Sequence, residues 1–256
     1  MNLSKEKAVA LKAASKAEKI LLSYFGKNEQ IRQKSNKSLV SKADIQANNA
    51  VISAIKENFP RHNIISEEIP PQNNQSDFTW YIDPLDGTHN FIHKIPVFGV
   101  SIALAYKDEV VLGVIYMPLL KLRAFAEKGK GAFINGKKIN VSKKDNLKHG
   151  FVLFELSYSK RSVKIKFMEQ FVGKLIDLRN FGAAVYHLLL VASGMADAFI
   201  IYTTREWDVA AGFLMVTEAG GKITNTKGEK CTLTDRNYIV SNSRVHDELM
   251  RMVKKV

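Results

Sequence analysis

Between residues 4 and 25, apolar side chains return every three or four positions. Val9, Ala13, Ala17, Ile20, Leu21 and Phe25 fall on overlapping faces, which predicts an amphipathic helix. The next stretch, GKNEQIRQKSNKS, opens on glycine, is polar and basic, and reads as a mobile loop. Helical spacing resumes in DIQANNAVISAIKENFP, with Asp44 placed to cap its start and Pro60 beyond its end. HNIISEE and FTWYIDP are short apolar strands, and residues 97–117 read as two strands around a polar KDE turn. RAFAEKGKGAFINGKKINV is hairpin material in which Asn135-Gly136 tolerates the positive φ of a tight turn. Gly129 and Gly131 superficially suggest a dinucleotide loop, but their hairpin setting argues against one.

Farther on, residues 164–175 have helical spacing and LIDLRN is a short strand. GAAVYHLLLVASGMADAFII supplies an apolar helix, a turn and a strand. VAAGFLMVTEAGG is a helix closed by Gly220-Gly221, YIVSN a strand, and VHDELMRMVKKV a terminal amphipathic helix. Strands and helices alternate irregularly and include hairpins, which indicates a layered α/β or α+β protein rather than a simple Rossmann unit. With no internal repeat or linker, a single domain over 1–256 is expected. Its α+β half covers about 1–148 and its α/β half about 149–256.

Composition adds three constraints. No apolar run reaches membrane-spanning length, and the charged first residues lack the apolar core of a secretion signal. The single cysteine, Cys231, excludes an internal disulfide and fits a reducing, cytoplasmic address. The formal charge is +13, concentrated in residues 1–43 and 120–148. Such a field attracts anions generally, phosphorylated metabolites and nucleic acid alike, and is also what a lysine-rich solvated surface gives. No aromatic-interleaved nucleic-acid signature or zinc-finger spacing accompanies it.

The acids are more informative. Glu67-Glu68, Asp83 with Asp86, Asp208 and Asp44 each lie just past an apolar strand or at a helix start. Carboxylates so placed gather at one rim of a sheet, where their repulsion calls for a cation. Hard oxygen ligands suit Mg²⁺ or Mn²⁺, and no His cluster or Cys pair offers an alternative. In WYIDPLDGTHNF, Pro84 fixes φ and Gly87 permits a tight turn, so the Asp83 carboxylate, Leu85 carbonyl and Asp86 carboxylate can point one way. The amides of Gly87 and Thr88 would then open a helix, a setting that binds phosphate. The stretch can also be a solvated surface turn, since D-P-x-D-G arises by chance.

Three stretches, SEE, WYIDPLDGTHNF and EWDVAAGFLMVTEAGG, together with LVSKAD, GAFING, RNFGAA and YIVSN, resemble the inositol monophosphatase family of Mg²⁺-dependent, lithium-sensitive phosphatases. The motifs stand in the family's order and span nearly the whole chain. The resemblance implies a five-layer αβαβα sandwich of the sugar-phosphatase type and a homodimer. It implies a first metal held by Glu67, Asp83 and the Leu85 carbonyl, and a second held by Asp83, Asp86 and Asp208. A third, weaker one would use Glu67 and water. Direct attack on phosphorus by a metal-activated water, without a phosphoenzyme, is the implied reaction. Glu67 and Thr88 would orient that water, and Asp44 would hydrogen-bond the threonine. Glu68 follows the ligand position and can equally be an exposed neighbour.

On the substrate side, the resemblance implies contacts from Gly87, Thr88, Gly182, Ala183, Ala184 and Arg179, and from Lys34 in the loop, with Lys37 an alternative. Ser41 replaces a usual threonine, and His89 stands where a second threonine is common, as a candidate contact to an anionic substrate or simply a helix-start residue. Ile201 replaces a glutamate that binds substrate hydroxyls in inositol-hydrolysing relatives. His93, His187 and Cys231 read as structural. The expected activity is hydrolysis of a small phosphomonoester, inositol 1-phosphate or a related sugar or polyol phosphate. Fructose 1,6-bisphosphatase and 3′-phosphoadenosine nucleotide phosphatase activities are alternatives within the same chemistry. Some bacterial relatives act in transcription and ribosomal RNA maturation, so nucleic acid or transcription proteins are kept as secondary partners.

Overall fold

The structure is a computed structural model that describes residues 1–27, 32–33, 39–156, 161–174 and 176–254. Helix α1 (Ser4–Tyr24) is followed by the paired two-residue strands β1 (Arg32–Gln33) and β2 (Leu39–Val40), then α2 (Lys42–Asn58). Strands β3 (Asn63–Ser66), β4 (Ile69–Gln72) and β5 (Phe78–Asp86) lead to the short α3 (Thr88–Ile92). A meander follows: β6 (Gly99–Tyr106), β7 (Glu109–Met117), β8 (Leu122–Glu127), β9 (Gly131–Ile134) and β10 (Lys137–Lys138). The chain continues through β11 (Gly150–Glu155), α4 (Arg161–Phe171), β12 (Ile176–Arg179), α5 (Ala184–Ala192), β13 (Ala198–Tyr202) and α6 (Glu206–Glu218). It closes with β14 (Lys222–Asn225), β15 (Asn237–Ser241) and α7 (His246–Val253).

Two mixed sheets organise these elements. The larger has the order β10-β9-β8-β7-β6-β5-β3-β4, and the smaller β12-β11-β13-β15-β14. Alternation along the central strands separates two cores. Trp80, Ile82, Ile102, Leu104, Leu112 and Val114 pack against the apolar faces of α1 and α2. The opposite face carries smaller groups, Ala103, Ala105 and Gly113, over which α6 lies. A Cβ at Gly113 would stand 2.8 Å from the Ala211 carbonyl, so this close approach excludes any side chain there. Helices α5 and α6 also cover Leu153, Phe199 and Val240 of the smaller sheet, whose other face packs on α4 and α7. The result is the expected αβαβα sandwich.

Several boundaries differ from the sequence pattern for identifiable reasons. Helix α2 starts at Lys42, and its N-cap is Ser41, not Asp44. The Ser41 hydroxyl accepts from the amides of Ala43 and Asp44, while Asp44 at N3 accepts from the Ser41 amide, a complete capping box. Two of the residues expected in the mobile loop, Arg32 and Gln33, instead form β1, and Lys34 and Lys37 lie outside the described residues. Strand β11 escaped notice because both its faces are covered, so its apolar run lacks alternation. Strand β4 contains Pro70-Pro71, tolerated because it is the edge of its sheet.

The most consequential difference lies in β5. Strand structure does not break after Asp83 but runs on through Asp86. Asp83 pairs with Ser101 and Asp86 with Gly99, so the strand carries one residue more than its partner between them, a β-bulge. In a regular strand, acids three apart point to opposite faces. The extra residue returns Leu85 to the side of Trp80 and Ile82, and Asp86 to the side of Tyr81 and Asp83. Pro84 sits in the bulge, where the missing N–H costs no ladder bond.

Candidate active site

Three aspartates from two elements stand near enough for their charges to raise one another's pKa. Asp83 is buried at the bulge of β5, Asp86 stands at the end of that strand, and Asp208 lies in the first turn of α6. The named hydrogen bonds hold each through one carboxylate oxygen. Leu85 N–H donates to Asp83 Oδ1 at 3.0 Å, and Val185 N–H to Asp86 Oδ2 at 2.9 Å. Asp208 Oδ2 accepts from Thr204 Oγ1 and from the Arg205 amide, both at 2.8 Å. These bonds fix each acid in orientation.

Their proton affinities record how closely they are enclosed. Burial is the largest cause pushing Asp83 well above its usual value, followed by the charges of Glu67, Asp86 and Asp208. Asp86 is pushed to about 8 by burial, against the lowering effect of the Val185 amide, with Asp208 and Glu67 raising it further. Asp208 rises to about 7 through burial and then Glu67. Some surface of Asp86 and Asp208 still meets solvent, but surrounding protein is dense enough for desolvation to dominate. Among the described residues, no three His, Cys, Asp or Glu side chains already close on a point as metal ligands. The donor set nonetheless fits a hard divalent cation in charge and atom type. Three mutually repelling carboxylates, the Leu85 carbonyl and the nearby charge of Glu67 are the chemistry that Mg²⁺ selects.

Glu67 follows β3, and its amide donates to Ile82 O at 3.2 Å, which ties it to the strand that carries Asp83. Beside this cluster, Thr88 begins α3. Its hydroxyl lies 3.3 Å from Asp44 Oδ1 and 3.1 Å from Leu85 O, with one proton to give to either. Asp44 is buried, its Oδ2 taking both the Ser41 hydroxyl at 2.6 Å and the Ser41 amide at 2.8 Å. Burial raises its carboxyl to about 7, opposed by those Ser41 bonds. Asp44 is thus both a member of the capping box and a partner of Thr88. Gly87, the N-cap of α3, has φ +86°, and a Cβ there would sit 2.9 Å from Val97 O. Only glycine satisfies both demands.

Of the residues expected on the substrate side, Gly182 is exposed, while Ala183 and Ala184 are buried at the start of α5. Ala183 lies against Gly87. The amides of Ala184 and Val185 serve Asp86. Arg179 folds back along its own strand, bonding Asp177 and, at 2.8 Å, Leu178 O. His89 is exposed on α3. Ile201 is fully buried in the core under α5 and α6, so that position offers substrate no surface. His187 is buried and neutral, burial pushing its pKa down to about 3, and its Nε2 accepts from Phe181 N–H at 2.8 Å.

Sequence reasoning missed three contributors. Thr204 holds Asp208, and Arg236 holds Thr204: Nη1 donates to the Thr204 carbonyl at 3.0 Å while Thr204 N–H donates to Arg236 O at 3.1 Å. Glu206 lies 3.6 Å from the same guanidinium. Asn90 bridges α3 to residue 181 across the fold. Only the position of Thr204, four residues before Asp208, carried a hint, as an upstream hydroxyl beside a helix start.

Comparison with known proteins shows the family of the chain. The chain is 33% identical over 248 residues to a fructose-1,6-bisphosphatase/inositol-1-monophosphatase of Thermotoga maritima, covering 96% of this chain and 95% of that one. It is 31% identical to the Nus factor SuhB of Pseudomonas aeruginosa, over 96% of this chain and 94% of the relative. The extragenic suppressor protein suhB of Bartonella henselae superposes with a TM-score of 0.94 at 33% identity, covering 98% and 99% of the two chains. The model of the inositol monophosphatase family matches residues 2–256. This chain, with its bulged strand of acids and its Thr88–Asp44 pair, belongs to the inositol monophosphatase family of phosphatases.

Proposed function

We propose that this protein hydrolyses a small phosphomonoester, inositol 1-phosphate or a related sugar or polyol phosphate, with Mg²⁺ at the acids Glu67, Asp83, Asp86 and Asp208. The carrying observation is the meeting of Asp83, Asp86 and Asp208 beside a threonine hydroxyl backed by a buried acid. Bound Mg²⁺, or Mn²⁺ in its place, would acidify a water and offset phosphate charge. The chain's own groups do the positioning. Thr88 gives its proton to Asp44 or Leu85 O and so turns oxygen lone pairs toward the attacking water, whose proton Glu67 accepts. The amides at Gly87 and Thr88 receive the phosphate oxygens. The P–O bond to water forms as the bond to the alcohol breaks, and the departing alkoxide takes a proton from solvent water while Glu67 returns its own to solvent.

The alcohol is less defined. Isoleucine at 201, enclosed in the core, supplies no carboxylate to grasp an inositol hydroxyl, which favours a broader range including fructose 1,6-bisphosphate. A 3′-phosphoadenosine nucleotide would need an adenine platform, for which no residue stands out. Phosphate release from a panel of these esters with Mg²⁺, with and without lithium, tests the reading. Asp83→Asn is the control. No Mg²⁺-dependent turnover on any ester would sink it.

One observation favours a second role at nucleic acid or transcription proteins. A cleft of about 840 Å³ beside α7 is lined by Lys148, Lys174, Arg251 and Lys254, with Glu248 the single acid, and none of the catalytic acids lies in it. RNA binding that survives Asp83→Asn and fades steeply with salt would support that role.

A further inference from the structure

Asp208 reaches the acidic cluster on a turn that is held from outside. Residues 203–205 join β13 to α6, and Thr203 there has φ +65°. A β-branched residue in the left-handed region is strained and persists only where its surroundings impose it. Those surroundings are Arg236 and Asn237, at the entry to β15. Thr203 N–H donates to Asn237 Oδ1 at 3.0 Å. Arg236 grips the buried Thr204 twice: its carbonyl accepts from Thr204 N–H at 3.1 Å, and its Nη1 donates to the Thr204 carbonyl at 3.0 Å. The Thr204 hydroxyl then donates to Asp208 Oδ2 at 2.8 Å, while its other acceptor within reach, Arg205 O, lies at 3.5 Å. Glu206, 3.6 Å from the guanidinium, steadies it from the helix side. Arg236 is thus linked to Asp208 through a single residue, and no hydrogen bond described joins it to the acids themselves.

We propose that Arg236 is a positioning residue for Asp208 and sets how tightly the site binds its divalent cation. The inference rests on the Mg²⁺ reading above and goes beyond it by naming a residue that acts on the site only through Thr204. Two effects would otherwise move Asp208. The strained turn at Thr203 relaxes if its neighbours let go, and the charges of Glu67 and Asp83 oppose that of Asp208 while no cation is bound. A ligand held in place before the cation arrives loses less freedom on binding it. Partners standing one layer behind a metal ligand are commonly worth about 10–100-fold in affinity. Arginine suits this task because its planar fork reaches the Thr204 carbonyl and Glu206 together, where an ammonium offers only a point charge.

The test measures Mg²⁺ binding itself, by calorimetric titration of the metal-free protein, in wild type, Arg236→Met, Thr204→Val and the double variant. Arg236→Met keeps the apolar stem of an exposed side chain. Thr204→Val keeps the shape and both backbone bonds to Arg236 while deleting the hydroxyl. For Arg236→Met we expect the Kd for Mg²⁺ to rise about tenfold, with melting in chelator within about 2 °C of wild type. Thr204→Val should raise it by a similar factor, and the double variant no more than either single one, because both break the same chain of contacts. Arg236→Lys, which keeps the charge without the fork, should not recover wild-type affinity. In turnover, the Mg²⁺ concentration giving half-maximal rate should rise by the same factor, and kcat at saturating Mg²⁺ should fall by less. An unchanged Kd in Arg236→Met would overturn the proposal. Additive losses in the double variant, or full recovery by Arg236→Lys, would do so too, since Arg236 would then act by charge and not through Thr204. A weaker Kd accompanied by a fall of more than about 5 °C in chelator would make Arg236 merely structural. Wild-type protein that binds no Mg²⁺ would remove the metal reading and this proposal together, whereas wild-type binding with an unmoved Arg236→Met would remove only the assignment of Arg236.

Discussion

Val185 donates its backbone N–H to Oδ2 of Asp86, 99 residues earlier in the chain, at 2.9 Å. One carboxylate thus serves the start of α5 and belongs to the acidic cluster, joining strand β5 of the larger sheet to the helix layer at the point where chemistry is expected. Removing that acid should be felt in both places. Asp86→Asn keeps an oxygen to accept from Val185 but drops a charge from the metal site. We expect Mg²⁺-dependent turnover to fall at least 100-fold while melting in chelator stays the same or rises. Asp86→Ala should also lose about 1 kcal/mol, read as a lowered melting temperature.

Asp83→Asn separates stability from function more sharply. Asp83 is buried, and its charge is opposed first by burial and then by Glu67, Asp86 and Asp208. In chelator the variant should melt about 2–4 °C above wild type, since roughly 1 kcal/mol of repulsion is relieved. In Mg²⁺ that order should reverse, because only wild type gains from the cation. A variant less stable than wild type in chelator would show that Asp83 is not under electrostatic strain.

Acids with raised folded pKa values make the cation-free protein sensitive to alkali. Asp44 and Asp208 move from 3.8 to about 7, and Asp86 to about 8. Each binds its proton more tightly when folded, so its contribution is complete below pH 3.8 and lost as pH rises through 7 to 8. His62, His187 and His246 act oppositely, their folded values lying below 6.5, and they withdraw stability as pH falls beneath that value. Between pH 6.5 and 8 the acids dominate. Denaturation in chelator should therefore show stability rising as pH is lowered across this window, and Mg²⁺ should flatten or invert the slope.

Thr88 offers a test of hydroxyl geometry alone. Thr88→Ala removes the group that stands between Asp44 and Leu85 O and should lower kcat by about 100-fold or more. Thr88→Ser retains the hydroxyl and should stay within about tenfold of wild type. Equal losses in the two variants would assign Thr88 to helix packing instead.

Placing at position 201 the glutamate that the family resemblance implies should not create selectivity for inositol 1-phosphate. Ile201 is fully enclosed in the core, so Ile201→Glu would bury a carboxylate without a partner. The expected result is a loss of about 3 kcal/mol or more, a fall in melting temperature of about 6–12 °C, and no gain for inositol 1-phosphate. Improved kcat/KM on that ester without destabilisation would show that the position opens to substrate.

Much of this architecture was legible beforehand because it depends on local periodicity. The amphipathic spacing of α1, the Asn135-Gly136 turn and the terminal helix each follow from a handful of neighbouring residues. Asp83, Asp86 and Asp208 stood out because acids directly after apolar runs are unusual. What stayed hidden depends on distant partners. The grip of Arg236 on Thr204, and of Asn90 on Phe181, spans 32 and 91 residues, and neither pair has a local pattern to betray it. Ser41 was passed over as N-cap in favour of Asp44, since both fit a capping position and only the closed hydrogen-bond ring distinguishes them.

The extra residue in β5 makes this centre depend on counting as much as on chemistry. A deletion of one residue between Asp83 and Asp86 would remove the bulge and leave the acids two apart on one face of a regular strand, whereas one further residue added to the bulge would send Asp86 into the oily layer beneath α1 and α2. The bulge is thus what lets two acids written three letters apart share one face of the sheet.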